Sequence, residues 1–219
     1  MDDGRTRLTR QESQLATRAR LIAAARTLIA SDGVAAASVR NVAEAAGYTQ
    51  GAFYSNFPTK DHMLMAVLAD HLEGVAARVE AMAEDVIAAP HDTDPQKMPA
   101  AITAFLRNLN PKSNWATLAT ELLLHANRSA DLAADYAIIR EGFFRRLGTS
   151  FRRIFDHLGL IPSISPEELA MGLISTSVGF SIQFGGPLTP EARTRFMVAV
   201  FQGVLNTASP ISQPELKQT

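Results

Sequence analysis

The chain has 219 residues, a net charge of −1, no cysteine and 47% hydrophobic residues. This length fits one large domain or two small ones, and the composition argues against disorder over most of the chain. The lack of cysteine excludes a disulfide framework, a thiolate nucleophile and a Cys-ligated metal. No apolar run is long enough for a membrane span, and the polar N-terminus lacks the apolar segment of a signal peptide. We therefore expect a cytoplasmic protein with no membrane partner.

The charges are unevenly distributed along the chain. Residues 1–60 contain eight Lys or Arg and five Asp or Glu, whereas residues 61–219 contain thirteen and seventeen. A basic N-terminal quarter on an acidic body indicates that a polyanion would bind at the N-terminal end. The net charge of −1 argues against a general coat protein for nucleic acid.

The predicted elements are almost all helices, because helix-forming residues dominate and no sustained alternation of apolar and polar positions occurs. The first helix covers about residues 17–30 and is stopped by Asp32-Gly33. Ser38 is the N-cap of a short second helix that ends at Gly47.

A third and a fourth helix follow directly. Thr49 is the N-cap of a helix of about eight residues, which Pro58 stops. Thr59 caps a long helix from Lys60 to about Ile87, which is too long for the small domain before it and carries the chain into a second domain.

The rest of the chain is predicted to be helical as well. After a break at residues 89–95, further helices are predicted over 96–108, 113–128, 131–158, 166–184 and 189–206. A loop covers residues 160–166, and a polar tail follows Asn206. The last two helices are apolar on two faces and therefore need two partners, their own domain and a second copy of the chain. The candidate dimer-interface residues are Met171, Ile174, Val178, Phe196, Val200, Phe201 and Val204.

Residues 46–60, AGYTQGAFYSNFPTK, contain four of the fifteen aromatic residues, two glycines and a proline, but one charged side chain. Two short helices joined by the tight turn Gly47-Tyr48 form a helix-turn-helix, whose second helix lies in the DNA major groove. Phe53 and Phe57 are expected to anchor this short helix to its neighbours. Its other face offers small or hydrogen-bonding groups to DNA, namely Thr49, Gln50, Gly51, Ala52, Ser55 and Asn56.

These side chains suit different parts of the duplex. Gln50 and Asn56 carry paired donor and acceptor atoms that can read base edges. Tyr54 can give its hydroxyl to a phosphate, and Lys60 adds a positive charge near the amides that begin the fourth helix.

The segment SVRNVAEAAGYTQGAFYSNFPTKDHML resembles the signature of the TetR family of transcriptional regulators. The shared pattern is a Ser- or Thr-capped second helix, an Ala-Gly-aromatic turn, Thr-x-Gly-Ala-Phe-Tyr and Phe-Pro-x-Lys. The resemblance covers residues 17–63, and the remaining chain matches only in length, helicity and its terminal pair of apolar helices.

The resemblance implies an all-α fold with an N-terminal three-helix helix-turn-helix domain followed by a helical ligand-binding and dimerisation domain. It implies a homodimeric repressor that binds a palindromic double-stranded DNA operator and releases it when a small-molecule effector binds. The implied organisation is a flexible tail over 1–16, a DNA-binding domain over 17–60, a regulatory domain over 61–206 and a polar tail over 207–219.

By the same resemblance, individual residues take roles at the DNA. The positions that match phosphate contacts are Arg40, Thr49, Tyr54 and Lys60, and Arg40 is equally compatible with a solvated surface position. Gln50 and Ala52 match positions that can face bases, and Thr17 lies where the first helix is predicted to begin and is a further candidate for a contact with the DNA backbone.

The effector site is predicted from residues that add an aromatic ring or a polar tip to an apolar helix, and each of them is also compatible with an ordinary core position. The candidates are Trp115, Leu118, Leu122, His125, Tyr136, Phe144 and Phe180. Their mostly apolar character favours an apolar or aromatic effector. Glu121 and His125 are four residues apart, as in some metal sites, but no third ligand is evident, so we expect no metal and no cofactor.

Three other classes remain open as alternatives: an all-helical enzyme, a metal-binding bundle and a DNA-binding protein without an effector. The enzyme has the least support, because the chain has no GxSxG, HExxH or Gly-rich phosphate-binding motif and offers no catalytic residues. A C-terminal region longer than dimerisation requires favours an effector-binding domain.

Overall fold

The computed structural model describes residues 9–88, 113–183 and 190–211. Within these ranges the chain is almost entirely helical, which confirms the all-α class. The helices are α1 (Arg10–Asp32), α2 (Val39–Ala45), α3 (Gln50–Tyr54), α4 (Lys60–Ala88), α5 (Ser113–Ala126), α6 (Ala130–His157), α7 (Pro166–Gln183) and α8 (Pro190–Asn206). The helix predicted over 96–108 lies outside the described residues. None of the described helices is long and apolar enough to cross a membrane.

The first helix begins earlier than the sequence pattern predicted. Thr9 and Glu12 form a reciprocal capping box, in which the Thr9 hydroxyl accepts the Glu12 amide at 3.2 Å and Glu12 accepts the Thr9 amide at 2.7 Å. The hydrogen bond from the Thr9 backbone holds the pKa of Glu12 below its usual value. The predicted start near residue 17 is therefore wrong, and residues 10–16 are the first two turns of α1 rather than part of a tail.

Two further differences concern short elements. α3 has five helical residues instead of about eight. Residues 160–161 and 209–210 form β1 (Leu160–Ile161) and β2 (Ser209–Pro210), an antiparallel pair extended by a hydrogen bond of 2.8 Å from the Ile211 amide to the Gly159 carbonyl. The residues after α8, predicted as a polar tail, are thus paired with the residues after α6, predicted as a loop.

The described residues form two compact units. The first contains residues 9–71 and 113–137, and the second contains residues 72–88, 138–183 and 190–211. α4 and α6 each contribute residues to both units. α5, which the predicted organisation assigned to the regulatory domain, packs against α1 and the 3-10 turn Val34–Ala36 of the first unit.

The core of the first unit is formed by residues from α1 to α5. Its fully buried members from the first three helices and the loop that follows them are Leu21, Ala25, Ile29, Val42, Phe53 and Phe57. α4 adds Met63 and Leu68, and α5 adds Leu118 and Leu122. Apolar burial at about 25 cal/mol per Å² is what stabilises helices as short as α2 and α3, which would not persist alone.

The second unit has a separate core to which α4, α6, α7 and α8 all contribute. Its largest buried members are Phe143, Leu147, Phe151, Ile154, Phe155, Leu169, Phe201 and Leu205. At the edge of this core, two arginines of α6 bind carboxylates of α4. Arg146 donates from Nε and Nη2 to the two oxygens of Glu80 at 2.7 and 2.8 Å and from Nη1 to Glu73, and Arg153 binds Glu84.

The pair Arg146–Glu80 predicts a pH-dependent contribution to stability. The hydrogen bonds from Arg146 hold the pKa of Glu80 below its usual value. A carboxyl whose pKa is lowered by folding stabilises the fold above its unfolded pKa of about 4.3, and this contribution is lost as the pH falls through the lower folded pKa. We expect Glu80→Gln to lower the urea midpoint at pH 7, with a difference from the wild type that shrinks below about pH 4.

The effect is modest because the Glu80 side chain is 40% exposed and solvent screens the pair. Glu141→Gln, at an exposed position of α6, is the matched control and should follow the wild type at every pH. A difference between Glu80→Gln and the wild type that stays constant from pH 7 to pH 3 would contradict the prediction.

Candidate nucleic-acid interface

The helix-turn-helix is fixed locally by two capping side chains and one glycine. The Ser38 hydroxyl accepts the Asn41 amide at 3.1 Å, and the Thr49 hydroxyl accepts the Ala52 amide at 3.2 Å. Gly47 has φ +75°, a left-handed conformation that glycine adopts without a steric penalty. Both predicted N-caps and the predicted turn are therefore confirmed.

The buried side of α3 and the loop after it is aromatic, as the sequence pattern predicted. Phe53 and Phe57 are both fully buried, and their ring centroids are 5.5 Å apart. Neither ring is available to a ligand in solvent. Both instead hold α3 against the rest of the first unit, which leaves the opposite side of the helix to face outwards.

The outward side of α3 carries most of the residues predicted to meet DNA. Five of them are exposed, namely Thr49, Gln50, Gly51, Tyr54 and Ser55, whereas Ala52 is half-buried. Tyr54 is 56% exposed and stands at right angles to Phe53, with 5.4 Å between their ring centroids. α3 therefore exposes the phenol of Tyr54, the side-chain amide of Gln50 and the backbone at Gly51 on its outward side.

The other predicted DNA contacts belong to α1, α2 and the start of α4. Arg40 is exposed in the first turn of α2, and Lys60 is the half-buried first residue of α4. The Thr59 hydroxyl accepts the His62 amide at 3.3 Å, as expected for the cap of α4. The Thr17 hydroxyl lies within hydrogen-bond distance of the Ser13 carbonyl, at 2.9 Å, inside α1.

Asn56 is the exception among the predicted base-reading residues. Its side-chain amide donates to the Ala52 carbonyl at 2.8 Å, and its Oδ1 is buried. The side chain is folded back onto α3, so the structure does not place it on the outward side beside Gln50. A direct contact with a base would require this side chain to leave its present rotamer.

Residues of α1 that the sequence analysis did not single out contact the end of α3. Arg18 donates from Nη1 to the Asn56 carbonyl at 2.8 Å, and its guanidinium lies 4.1 Å from the centroid of the Phe57 ring. Gln14, one helical turn earlier, donates to the Ser55 carbonyl at 3.4 Å. Burial lowers the pKa of Arg18, but an arginine pKa starts so high that the group stays charged.

The turn between α2 and α3 also contacts α1. The Tyr48 hydroxyl lies 3.5 Å from the Thr17 hydroxyl and 3.4 Å from Nη1 of Arg20. The hydrogen bond from Thr17 and the positive charge of Arg20 hold the pKa of Tyr48 below its usual value. α1 is therefore hydrogen-bonded to both the turn and the end of α3.

The predicted effector-contact residues are divided between the two units. Five belong to the first unit, namely Trp115, Leu118, Leu122, His125 and Tyr136, and two belong to the second, namely Phe144 and Phe180. Leu118 and Leu122 are buried on α5, Trp115 stacks on His71 with 4.0 Å between ring centroids, and Tyr136 is half-buried. Leu118, Leu122 and Trp115 thus contribute to the packing of the first unit.

His125 is exposed and does not join Glu121 in a metal site. Its Nδ1 lies 3.4 Å from Oδ2 of Asp61, in the first turn of α4. Across the ranges that the structure describes, no three His, Asp or Glu side chains are grouped as metal ligands.

The predicted dimer-interface residues of α7 and α8 fall into two groups. Phe201 and Val204 are buried in the core of their own chain, and Ile174 packs against that core. Met171, Phe196 and Val200 are exposed, by 50%, 47% and 38%, and Val178 is half-buried. Phe196 also packs edge-on against Phe180, with 5.4 Å between ring centroids.

Comparison with known proteins agrees with this geometry. Residues 21–67 match the family model of bacterial regulatory proteins of the tetR family. A comparison with curated protein sequences gives no match.

Solved structures resemble the whole chain at low sequence identity. A protein from Mesorhizobium loti described as a TetR-family transcriptional regulator is 17% identical, with 92% of this chain and 100% of that chain covered and a TM-score of 0.68. A transcriptional regulator from Rhodococcus sp. RHA1 is 25% identical, with coverages of 90% and 99% and a TM-score of 0.63. The reduced form of NemR from E. coli is 19% identical, with coverages of 90% and 100% and a TM-score of 0.61. The N-terminal helix-turn-helix therefore matches the tetR family model over residues 21–67, and the chain as a whole is similar in fold to solved TetR-family transcriptional regulators.

Proposed function

We propose that this protein is a ligand-responsive transcriptional repressor that binds a palindromic operator as a homodimer and is released by a small-molecule effector. The observation that carries the proposal is the outward side of α3. Polar and small side chains are exposed there on a helix whose inner side is anchored by two fully buried phenylalanines. A short helix of this kind, placed after a tight turn, is suited to the major groove.

Within this proposal the residues divide into base-reading and phosphate-binding groups. Gln50 reads a base edge, and the small Gly51 and Ala52 allow the backbone to approach the duplex. Tyr54, Thr49, Lys60 and Arg40 bind phosphates, which position the protein without specifying sequence. Thr17, which is half-buried on α1, and Ser55, which is exposed after α3, are further proposed contacts. Asn56 contributes by holding α3 in shape through its bond to Ala52.

The dimer is proposed to form through α7 and α8. Met171, Phe196 and Val200 are large apolar side chains left exposed on these helices, and water would be excluded from them by a second copy of the chain. Phe201 and Val204 fill the core beneath and support the interface from inside their own chain. Two copies of α3 related by a two-fold axis would read the two halves of a palindrome.

The effector is proposed to be apolar or aromatic, because the predicted effector-contact residues are mostly apolar or aromatic side chains. It shifts the equilibrium only if its affinity differs between the DNA-binding and the released conformations. α4 contributes residues to both units and is the proposed path of coupling. The proposal involves no catalytic step, metal or cofactor.

The experiment that tests the proposal is selection of bound sequences from a random pool of DNA duplexes with the purified protein. We expect a palindrome bound by a dimer, with an affinity that falls steeply as salt rises because phosphate contacts release counterions. Recovery of no motif, together with weak binding to every sequence, would contradict the proposal.

Gln50→Ala is expected to relax base preference without abolishing DNA binding. Loss of a bidentate contact costs about 1–3 kcal/mol against the selected operator, whereas binding to scrambled DNA should hardly change. Titrations of both duplexes measure the difference. Asn127→Ala, an exposed amide directly after α5, is the control that should leave both affinities unchanged. Equal losses on the two duplexes would remove Gln50 from the base-reading residues.

A further inference from the structure

The recognition helix α3 is too short to maintain its own geometry. It has five helical residues, and the free energy of its few backbone hydrogen bonds does not offset the cost of ordering them. Its amino end is capped within the segment by Thr49. Its carboxyl end leaves backbone carbonyls without partners inside the helix, and these need donors from elsewhere.

α1 supplies those donors. Arg18 binds the carbonyl of Asn56 and Gln14 that of Ser55, so two side chains four residues apart on one side of α1 reach consecutive carbonyls. The positive charge of Arg18 also suits the negative end of the α3 dipole. The same guanidinium lies over the Phe57 ring, which adds a cation–π contact.

We propose that Arg18, assisted by Gln14, is a positioning residue that fixes the carboxyl end of α3 and thereby the orientation of its base-reading side. Arg18 is half-buried, and its guanidinium is already engaged by a backbone carbonyl and an aromatic ring. It therefore acts on DNA through α3 and does not bind a phosphate itself. The effect on DNA rests on the proposed function, whereas the effect on α3 does not.

The first measurement is amide hydrogen exchange of the free protein, without DNA. Arg18→Met keeps the aliphatic stem and removes the donors and the charge. We expect at least about tenfold faster exchange at Ser55 and Phe57, whose amides donate to Gly51 and Phe53, with no change at Val42 in α2. Arg18→Lys should exchange at an intermediate rate, because it restores the charge but not the planar group.

Arg26→Met is the matched control. Arg26 lies on α1 and pairs with Asp70 at 2.9 Å, so the variant also removes one charge and one ion pair of α1, but away from α3. Its exchange at Ser55 and Phe57 should equal that of the wild type. Unchanged exchange in Arg18→Met, or acceleration spread evenly over α2 and α3, overturns the proposal. If Arg18→Met does not fold, the same comparison is made with Arg18→Lys and Gln14→Ala.

The second measurement is operator affinity. Arg18→Met should bind the selected operator at least about tenfold more weakly than Arg26→Met does. Unchanged hydrogen exchange combined with a salt slope reduced by about 0.9 would identify Arg18 as a phosphate contact and overturn the proposal. If the wild-type protein binds no duplex, the proposed function fails, and the exchange data still decide whether Arg18 holds α3.

Discussion

Replacing Phe53 with alanine is expected to lower the free energy of unfolding of the first unit by about 3–5 kcal/mol. Phe53 is fully buried, and its ring packs between Tyr54 and Phe57. The variant loses the transfer free energy of the ring and leaves a cavity at the base of α3. No other part of α3 can replace this anchor, because the exposed side of the helix is polar or small.

The loss can be measured by urea unfolding followed by tryptophan fluorescence. The chain has a single tryptophan, Trp115, which stacks on His71 in the first unit and therefore reports on that unit. Tyr54→Phe is the control, since the neighbouring ring is exposed and the change removes only a hydroxyl. A loss below about 1 kcal/mol for Phe53→Ala would show that α3 is anchored in another way.

Val200→Glu is expected to convert the proposed dimer into monomers and to weaken operator binding by a factor on the order of 10²–10⁴. Val200 is 38% exposed on α8, near Phe196, and a carboxylate there would have to be desolvated in a dimer interface. A monomer engages one half of a palindrome at a time and loses the effective concentration that linkage of the two α3 helices provides.

Sedimentation equilibrium and operator titration test this expectation together. Ile138→Glu is the control, because it places the same charge on another large exposed apolar residue, at 69% exposure on α6. It should remain dimeric and keep operator affinity. A dimer that survives Val200→Glu would place the interface outside this part of α8.

The features predicted well from the sequence are those set by neighbouring residues. The caps at Ser38 and Thr49 and the turn at Gly47 depend on hydrogen bonds and φ values within a few residues, which the amino-acid types reveal directly. The capping box at the start of α1 is equally local, because it involves only Thr9 and Glu12. The prediction did not include this pattern, and the predicted helix was therefore too short.

Long-range contacts were not predictable in the same way. Arg18 reaches a carbonyl 38 residues away, and nothing in the residue type indicates which carbonyl an arginine will find. Apolar periodicity likewise shows that a helix side is buried but not what covers it. For this reason the sequence pattern predicted a dimer-interface position for both Phe201 and Phe196. Phe201 lies in the core of its own chain, whereas Phe196 is 47% exposed.

The place of α5 in the first unit has a consequence for biosynthesis. Residues 9–71 leave the ribosome well before α5, which ends at Ala126 and packs against α1 and the 3-10 turn. At a rate of synthesis of about 5–20 residues per second, α5 is complete several seconds after residues 9–71. During that interval the part of α1 that α5 later covers faces solvent or a chaperone. The nascent chain thus exposes this apolar part of α1 while the helix-turn-helix is already made.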